Sequence, residues 1–167
     1  LLVSFLSANQ QKLTPDDAGS KVHFVIRNFG INTGGDFKGL KGQVLFDKNN
    51  IAASFFDISI TVSTIDTDNS KRDNHLRKEA YFDVSHYPTI RIKGKPVMAN
   101  GGAYVLKATL TIKDITKPIE IPFTVKQQTN GYLFEGAFEM NRLDYKVGTK
   151  SAIMADLVKI TLRVLAK

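Results

Sequence analysis

Apolar and polar residues alternate along most of the chain from Gly19 onward, with a period of two. In one clear example, apolar residues at positions 56, 58, 60 and 62 alternate with polar residues at 57, 59, 61 and 63. Such alternation places one face of a β-strand in an apolar interior and the other face in water. The pattern predicts eight strands, over residues 22–27, 36–47, 56–63, 87–98, 104–113, 119–126, 132–140 and 158–164.

The segments between these stretches carry turn and bend signals. Asn and Gly residues that tolerate positive φ stand at 49–50, 100–102 and 130–131. Four glycines between positions 34 and 42 predict bends or bulges where the sheet curls. Pro122 falls on an outward position, so its strand should be an edge or carry a bulge there. Residues Asp68–Phe82 break the alternation and predict one short helix over the sheet, with Asp68 or Ser70 as its N-cap.

Eight mostly antiparallel strands with one apolar face form either a sandwich or a closed barrel. Several alternating runs exceed the usual strand length of about five or six residues, which favours a long barrel. Its interior could be packed solid or could hold one apolar chain, and alternation fits both. Gly136 shares the inward face with Phe134 and Phe138 and is expected to leave space there. The candidate ligand-binding residues, each of which could instead be ordinary core, are Phe24, Ile26, Phe46, Phe56, Ile58, Tyr104, Leu106, Phe123, Phe134 and Phe138.

Composition narrows the classes of function. The 23 Lys and Arg residues against 16 Asp and Glu residues give a net charge of +7, but they are scattered along the chain. No basic cluster interleaves with aromatic residues, which argues against a nucleic-acid partner. Two further interactions remain compatible with the sequence: a transient contact with an anionic membrane surface, and a homodimer. The chain has no cysteine, which excludes thiol catalysis, disulfides and thiolate metal sites.

Few residues suggest catalysis or metal binding. His75 and Glu79 have an i, i+4 spacing that could bind zinc, but one such pair is common by chance. No Gly-x-Ser-x-Gly elbow is present, and Gly34-Gly35 does not open a helix as a phosphate-binding loop would. The sequence therefore predicts no catalytic residues, no metal and no cofactor. Arg72 and Asp73 could form a polar gate for a ligand head group or a charge pair that pins the helix to the barrel.

The first eight residues differ from the rest. Leu1–Ala8 are mostly apolar and end in small residues, as the back half of a signal peptide does. We expect residues 1–8 to be a signal-peptide remnant and residues 9–167 to form a single domain. The alternative is a short N-terminal helix or strand.

Several short motifs follow one another between Gly19 and the C-terminus. They are Ser20-x-Val22-x-Phe24, Gly35-x-Phe37-x-Gly39-x-x-Gly42, Thr64-x-x-Thr67, Arg72-Asp73-x-His75-Leu76, Tyr81-Phe82-Asp83, Tyr87-Pro88-x-Ile90, Leu110-Thr111-Ile112, Thr116-Lys117-Pro118 and Asn141-Arg142-x-Asp144-Tyr145. Each motif alone is weak evidence, but all of them in this order resemble the YceI-like family of polyisoprenoid-binding proteins.

The resemblance implies an all-β fold, an eight-stranded antiparallel lipocalin-like barrel around an isoprenoid or another long apolar lipid. It also implies a secreted protein of the bacterial periplasm that acts as a carrier or store. This chain departs from the family at Phe29, where a His usually follows the Asn of the first strand. Two rival functions remain at this point: an enzyme acting on an isoprenoid lipid, and a ligand-free structural or interaction barrel.

Overall fold

The computed structural model describes residues 10–167, so the predicted signal-peptide remnant, Leu1–Ala8, lies outside the described residues. The described chain forms one short helix, α1 (Ser70–Leu76), and antiparallel strands. The strands are β1 (Gln11–Leu13), β2 (Lys21–Asn28), β3 (Ile31–Phe46), β4 (Phe55–Asp66), β5 (Thr89–Met98), β6 (Tyr104–Ile112), β7 (Ile115–Gln128), β8 (Gly131–Asn141) and β9 (Met154–Ala166).

The strands close into a barrel. Hydrogen bonds join them in the order β1-β3-β2-β9-β8-β7-β6-β5-β4, and a further pairing of β3 with β4 completes the ring. Strand β1 is short and pairs with the last residues of β3. After it, the backbone N–H groups of Thr14 and Asp16 donate hydrogen bonds to the carbonyls of Lys167 and Leu165, next to the end of β9. The barrel proper therefore consists of β2–β9, and the prediction of an eight-stranded antiparallel barrel is confirmed.

Glycines bend strand β3 where the sequence predicts bulges. The register between β3 and β4 shifts between Asp36 and Lys38 and again between Lys38 and Lys41. Gly42 has φ of +123°, and a Cβ there would overlap the carbonyl of Asp57. Only glycine combines this backbone conformation with such a close approach. The bends let one long strand bond to β2 at one end and to β4 at the other.

Prolines split the sheet between β7 and β8. Pairing of these strands is confined to Phe123–Gln128 and Gly131–Gly136. The carbonyl oxygen of Pro122 faces β8, because it would lie 2.7 Å from a Cβ atom added to Gly136 of that strand. Alternate residues of a strand point the same way, so Pro118 also faces β8, and neither proline has an N–H to donate. The ladder with β8 therefore ends beside Pro122. The sequence predicted an edge strand or a bulge there, and the structure shows a local edge in a strand that otherwise pairs with both β6 and β8.

The helix is shorter than the sequence predicts. Helix α1 covers seven residues rather than the whole of Asp68–Phe82. Its N-cap is Asn69, whose side chain accepts from the backbone N–H of Arg72, so the predicted caps Asp68 and Ser70 are wrong. The helix ends at Leu76, and the side chain of its C-cap residue, Arg77, donates to the carbonyl oxygens of Ser63 and Ile65. Residues 78–87 continue as turns.

Candidate ligand-binding cavity

The end of the barrel next to β1 is filled by aromatic side chains. The ring of Phe46 lies 5.0 Å from that of Tyr132, 5.3 Å from Phe134 and 6.1 Å from Tyr104. These contacts are edge-to-face, an arrangement that aromatic quadrupoles favour. Phe56 and Phe123 complete the group, with their rings 5.7 Å apart. We call these six residues the aromatic plug. It closes this end of the barrel to any ligand.

The other end of the barrel is hollow. A cavity of about 170 Å³ lies between the plug and the segment that contains α1. A single water molecule needs about 10–15 Å³ of such space, so the cavity is much larger than a packing defect. Several inward side chains around it, such as Phe24, Phe138 and Leu162, are only half-buried, because they face empty space. Its principal apolar lining residues are Phe24, Ile26, Ile58, Ile60, Ile90, Ile112, Phe138, Met140, Met154, Val158, Ile160 and Leu162.

A smaller void separates this cavity from the aromatic plug. It has a volume of about 40 Å³ and a wholly apolar lining, a combination that stays dry in proteins. Gly136 lines this void, but it does not provide the free space that the sequence predicts. A Cβ there would lie 2.7 Å from the carbonyl oxygen of Pro122 and 3.0 Å from Cβ of Phe123, because β7 crosses close to β8.

The ten residues predicted to bind a ligand divide between these three regions. Phe24, Ile26, Ile58 and Phe138 line the cavity. The void is lined by Ile58 again and by Phe56, Leu106, Phe123 and Phe134. Phe46 and Tyr104 line neither space and lie in the plug. Sequence reasoning missed lining residues outside the strands. They are Leu76 at the end of α1, and Tyr81, Phe82 and Val147 in irregular segments, which carry no periodic signal.

Helix α1 is fixed over the cavity by a buried polar cluster. Asp73 accepts hydrogen bonds from the backbone N–H of Thr67 at 3.0 Å and from its hydroxyl at 2.5 Å. Arg72 donates to the same hydroxyl from Nε and to the Thr67 carbonyl from Nη2. The arrangement supports the structural interpretation of Arg72 and Asp73, in which the pair pins the helix to β4. His75, the residue with zinc-like spacing, packs its ring 5.0 Å from that of Tyr81.

Arg142 is the most deeply buried charge at this end of the cavity. It is 3% exposed and donates from Nε to the carbonyl of Ala155, from Nη1 to Val147 and from Nη2 to Thr149, each at 2.9 Å. Asp156 lies 3.4 Å from Nη2 and balances its charge. Arg142 directly follows the end of β8 and ties the loop over residues 147–149 to β9.

The loop after α1 contains two residues with displaced pKa values, Asp83 and His86. Nδ1 of His86 lies 2.8 Å from Oδ1 of Asp83. This hydrogen bond holds the pKa of Asp83 below its ordinary value and raises the pKa of His86. Beside the cavity, burial raises the pKa of Tyr145, and the charge of Asp144 adds to the effect. None of these four residues lines the cavity.

The arrangement can hold an apolar chain and offers little for chemistry. The charged cavity-lining groups Arg72 and Arg142 are already engaged with oxygen atoms of the protein itself. Within residues 10–167, no group of three His, Asp or Glu residues is placed to bind a metal ion. No helix of the same region is both long and apolar enough to cross a membrane.

The fold and the cavity define a class: closed antiparallel β-barrels with a blind apolar cavity in the interior. Within that class, the chain belongs to the YceI-like family, since the sequence pattern of the YceI-like domain matches residues 13–166. A UPF0312 protein of Yersinia pestis is 26% identical to it over 164 residues, which cover 94% of this chain and 85% of the relative. A UPF0312 protein of Photorhabdus laumondii is 34% identical over 85 residues, which cover 51% of this chain and 44% of the relative.

Solved structures share the architecture. The BcnA protein of Burkholderia cenocepacia superposes with a TM-score of 0.85 at 28% identity, covering 90% of this chain and 98% of its own. A polyisoprenoid-binding domain from Saccharophagus degradans, implicated in plant cell wall breakdown, gives a TM-score of 0.73 at 12% identity. That alignment covers 93% of this chain and 97% of the domain. At such low identity the likeness to the second structure concerns the fold alone.

Proposed function

We propose that this protein binds one long apolar lipid chain, such as an isoprenoid tail, inside its barrel and acts as a carrier or store. The observation that carries the proposal is the blind apolar cavity. A ligand pocket usually combines an apolar lining with a smaller number of polar groups. Here the polar residues of the lining are His23, Asn28, Thr33, Ser59, Thr67, Arg72 and Arg142. The binding of a polyisoprenoid by a structural neighbour supports the same class of ligand.

The shape of the cavity favours a chain that enters end-on. Inward residues of β9 line it from Met154 to Val164. At about 3.3 Å per residue and a tilt of about 40°, this span measures roughly 25 Å along the barrel axis. The aromatic plug blocks one end, so the tip of the chain points toward the plug. The head group then lies at the other end, near Asn28 and Thr33.

An enzyme acting on such a lipid is the weaker candidate. Catalytic acids and bases usually have displaced pKa values and face the substrate. In the part of the chain that the structure describes, the displaced pKa values belong to groups outside the cavity lining: Asp16, Asp57, Asp83, His86, Arg91, Glu135 and Tyr145. This placement favours a binding protein over a catalyst.

The direct test is denaturing extraction of the purified protein with organic solvent, followed by mass spectrometry of the organic phase. We expect a long-chain lipid at close to one molecule per protein chain. The variant Lys159→Ala, changed on the outer face of β9, should yield the same lipid and controls for surface adsorption. An empty extract, combined with no uptake of added isoprenoid, would refute the carrier and favour the solid structural barrel.

We also propose that the protein works in the bacterial periplasm, as the family resemblance implies. The apolar segment Leu1–Ala8 supports export because it resembles the end of a signal peptide. Osmotic-shock fractionation of the source bacterium checks the compartment. Release with the periplasmic fraction is expected, and retention with the cytosol would contradict the proposal.

A further inference from the structure

The turn between β2 and β3 holds an aromatic residue in an unfavourable conformation. Asn28 pairs with Ile31, which leaves Phe29 and Gly30 as the two turn residues. Their φ angles are 52° and 73°, so both are left-handed, as in a type I′ turn. Asn-Gly is the favoured sequence for this turn, and a bulky side chain rarely adopts such φ. The ring gains no burial in exchange, since Phe29 is 69% exposed.

Other exposed apolar side chains lie beside this turn. The backbone N–H of Phe29 donates to the carbonyl of Ile153 at 2.8 Å, which brings the two residues together. Ile31 follows the turn and is as exposed as Phe29, and Ile153 is about half exposed. We call Phe29, Ile31 and Ile153 the tip patch. Exposed apolar groups that cluster in this way mark an interaction site, whereas isolated ones do not.

The tip patch is continuous with the lining of the cavity. Asn28 pairs with Ile31 on one side and with Met154 on the other, so all three share the inward face of the sheet. Asn28 and Met154 both line the cavity. The inward face of the sheet therefore runs without a break from the cavity to Ile31 of the tip patch.

Basic side chains border the patch. Arg27 and Lys150 line one surface cleft together with Gly30 and Ile153. The neighbouring carboxylate, Asp156, is paired with both Lys150 and the buried Arg142, so it does not cancel the charge of Arg27. Apolar side chains within a basic border suit the boundary between head groups and acyl chains of an anionic bilayer.

We propose that the tip patch docks on the surface of an anionic lipid bilayer and holds the cavity against the membrane while a lipid chain is transferred. Phe29 and Ile153 insert at the level of the acyl chains, and Arg27 lies among the head groups. This inference rests on the proposed lipid-binding function, because it supplies the route by which the cavity is loaded. It also accounts for Phe29, whose conformation serves neither the turn nor the core.

The test uses the variant Phe29→Asn, which gives the turn its preferred Asn-Gly sequence. Folding should therefore be retained, with a thermal midpoint at or above that of the wild type. Binding is measured by flotation with vesicles of phosphatidylglycerol and phosphatidylethanolamine in equal amounts. We expect the vesicle partition coefficient to fall about tenfold to hundredfold, as loss of a buried aromatic side chain predicts. The control is Met98→Asn, at the opposite end of the barrel, where Met98 is 67% exposed.

Equal vesicle binding by the wild type and Phe29→Asn would overturn the proposal, as would no binding by the wild type. A wild-type dimer that Phe29→Asn converts to a monomer, without vesicle binding, would identify the patch as a contact between two copies instead. Lipid extraction from the same preparations separates the two proposals. If the wild type contains bound lipid but does not bind vesicles, the docking surface alone is refuted. If the wild-type extract contains no lipid, the proposed function is refuted.

Discussion

The same substitution should affect stability and lipid binding differently in the hollow half and in the filled half of the barrel. Val158 faces the cavity from β9, where it pairs with Ile26 of β2. Val44 faces inward from β3 at the other end and is 0% exposed. At each site a change from Val to Trp adds the same atoms to the interior. Only the space available to the indole differs.

The expected magnitudes follow from that space. Overpacking a filled core costs about 1–3 kcal/mol or more, so Val44→Trp should lower the thermal midpoint by roughly 2–12 °C. At Val158 the indole can enter a cavity of about 170 Å³. There the cost should stay below about 1 kcal/mol, or roughly 4 °C. The same indole occupies the path of the ligand, so Val158→Trp should lose most of its bound lipid.

The assay is thermal unfolding of lipid-free protein, followed by extraction and mass spectrometry of protein purified from cells. Lipid must be removed before unfolding because a bound ligand raises the midpoint. Lys159→Trp, next to Val158 on the outer face of the same strand, controls for the bulk of the new side chain. Equal destabilisation by Val158→Trp and Val44→Trp would refute the reasoning, because it would mean that both ends of the barrel are filled.

Three further predictions concern the structure around the cavity. Arg142→Met should destabilise the protein by about 3–5 kcal/mol in chemical denaturation, because it leaves three carbonyls without their donor and removes one of the two basic partners of Asp156. A loss below about 1 kcal/mol would contradict the assigned role. Gly136→Ala should lower the thermal midpoint, because the added Cβ would lie 2.7 Å from the carbonyl oxygen of Pro122. An unchanged midpoint would mean that β7 and β8 can move apart freely. The contact between His86 and Asp83 should stabilise the loop over residues 83–87 most at intermediate pH. Because the pKa of His86 is raised, its contact stabilises the folded loop below the ordinary value of 6.5, and this stabilisation is lost as pH rises. Because the pKa of Asp83 is lowered, its contact stabilises the folded loop above the ordinary value of 3.8, and this stabilisation is lost as pH falls. Amide protection factors in this loop should therefore be higher at about pH 5.5 than at about pH 8, and His86→Gln should abolish the difference.

Alternation located the strands because each strand has one face in the interior and one in water. It failed where that contrast is absent. Strand β3 begins at Ile31 rather than near position 36, since Ile31 is exposed and Gly34-Gly35 carries no side chains. The helix was predicted too long because the spacing of Leu76 and Ala80 continues a helical face. The helix instead ends at Leu76, and Arg77 donates to carbonyls of β4, a contact between distant parts of the chain that the local pattern does not encode.

The candidate site was predicted only in part, because a period of two indicates which face a residue occupies and not its depth in the barrel. Phe24 and Phe46 have the same local pattern, yet one lines the cavity and the other lies in the plug. Depth depends on strand register and stagger, which arise from the bulges in β3. The lining supplied by Tyr81, Phe82 and Val147 depends on how two irregular segments pack together over the open end.

Side-chain size along the barrel axis then decides where the interior is filled. A barrel of eight strands has a nearly constant diameter, so side chains from opposite walls meet only if they are large. In the plug, Phe46 on β3 reaches Phe134 on β8, and Phe134 reaches Phe56 on β4. In the other half, the aromatic rings pack along the wall, as Phe24 does against Phe37 at 5.5 Å, and the remaining inward residues are mainly aliphatic. Aliphatic side chains leave the axis open, and for this reason an uninterrupted apolar pattern produces a plug at one end and a cavity of about 170 Å³ at the other.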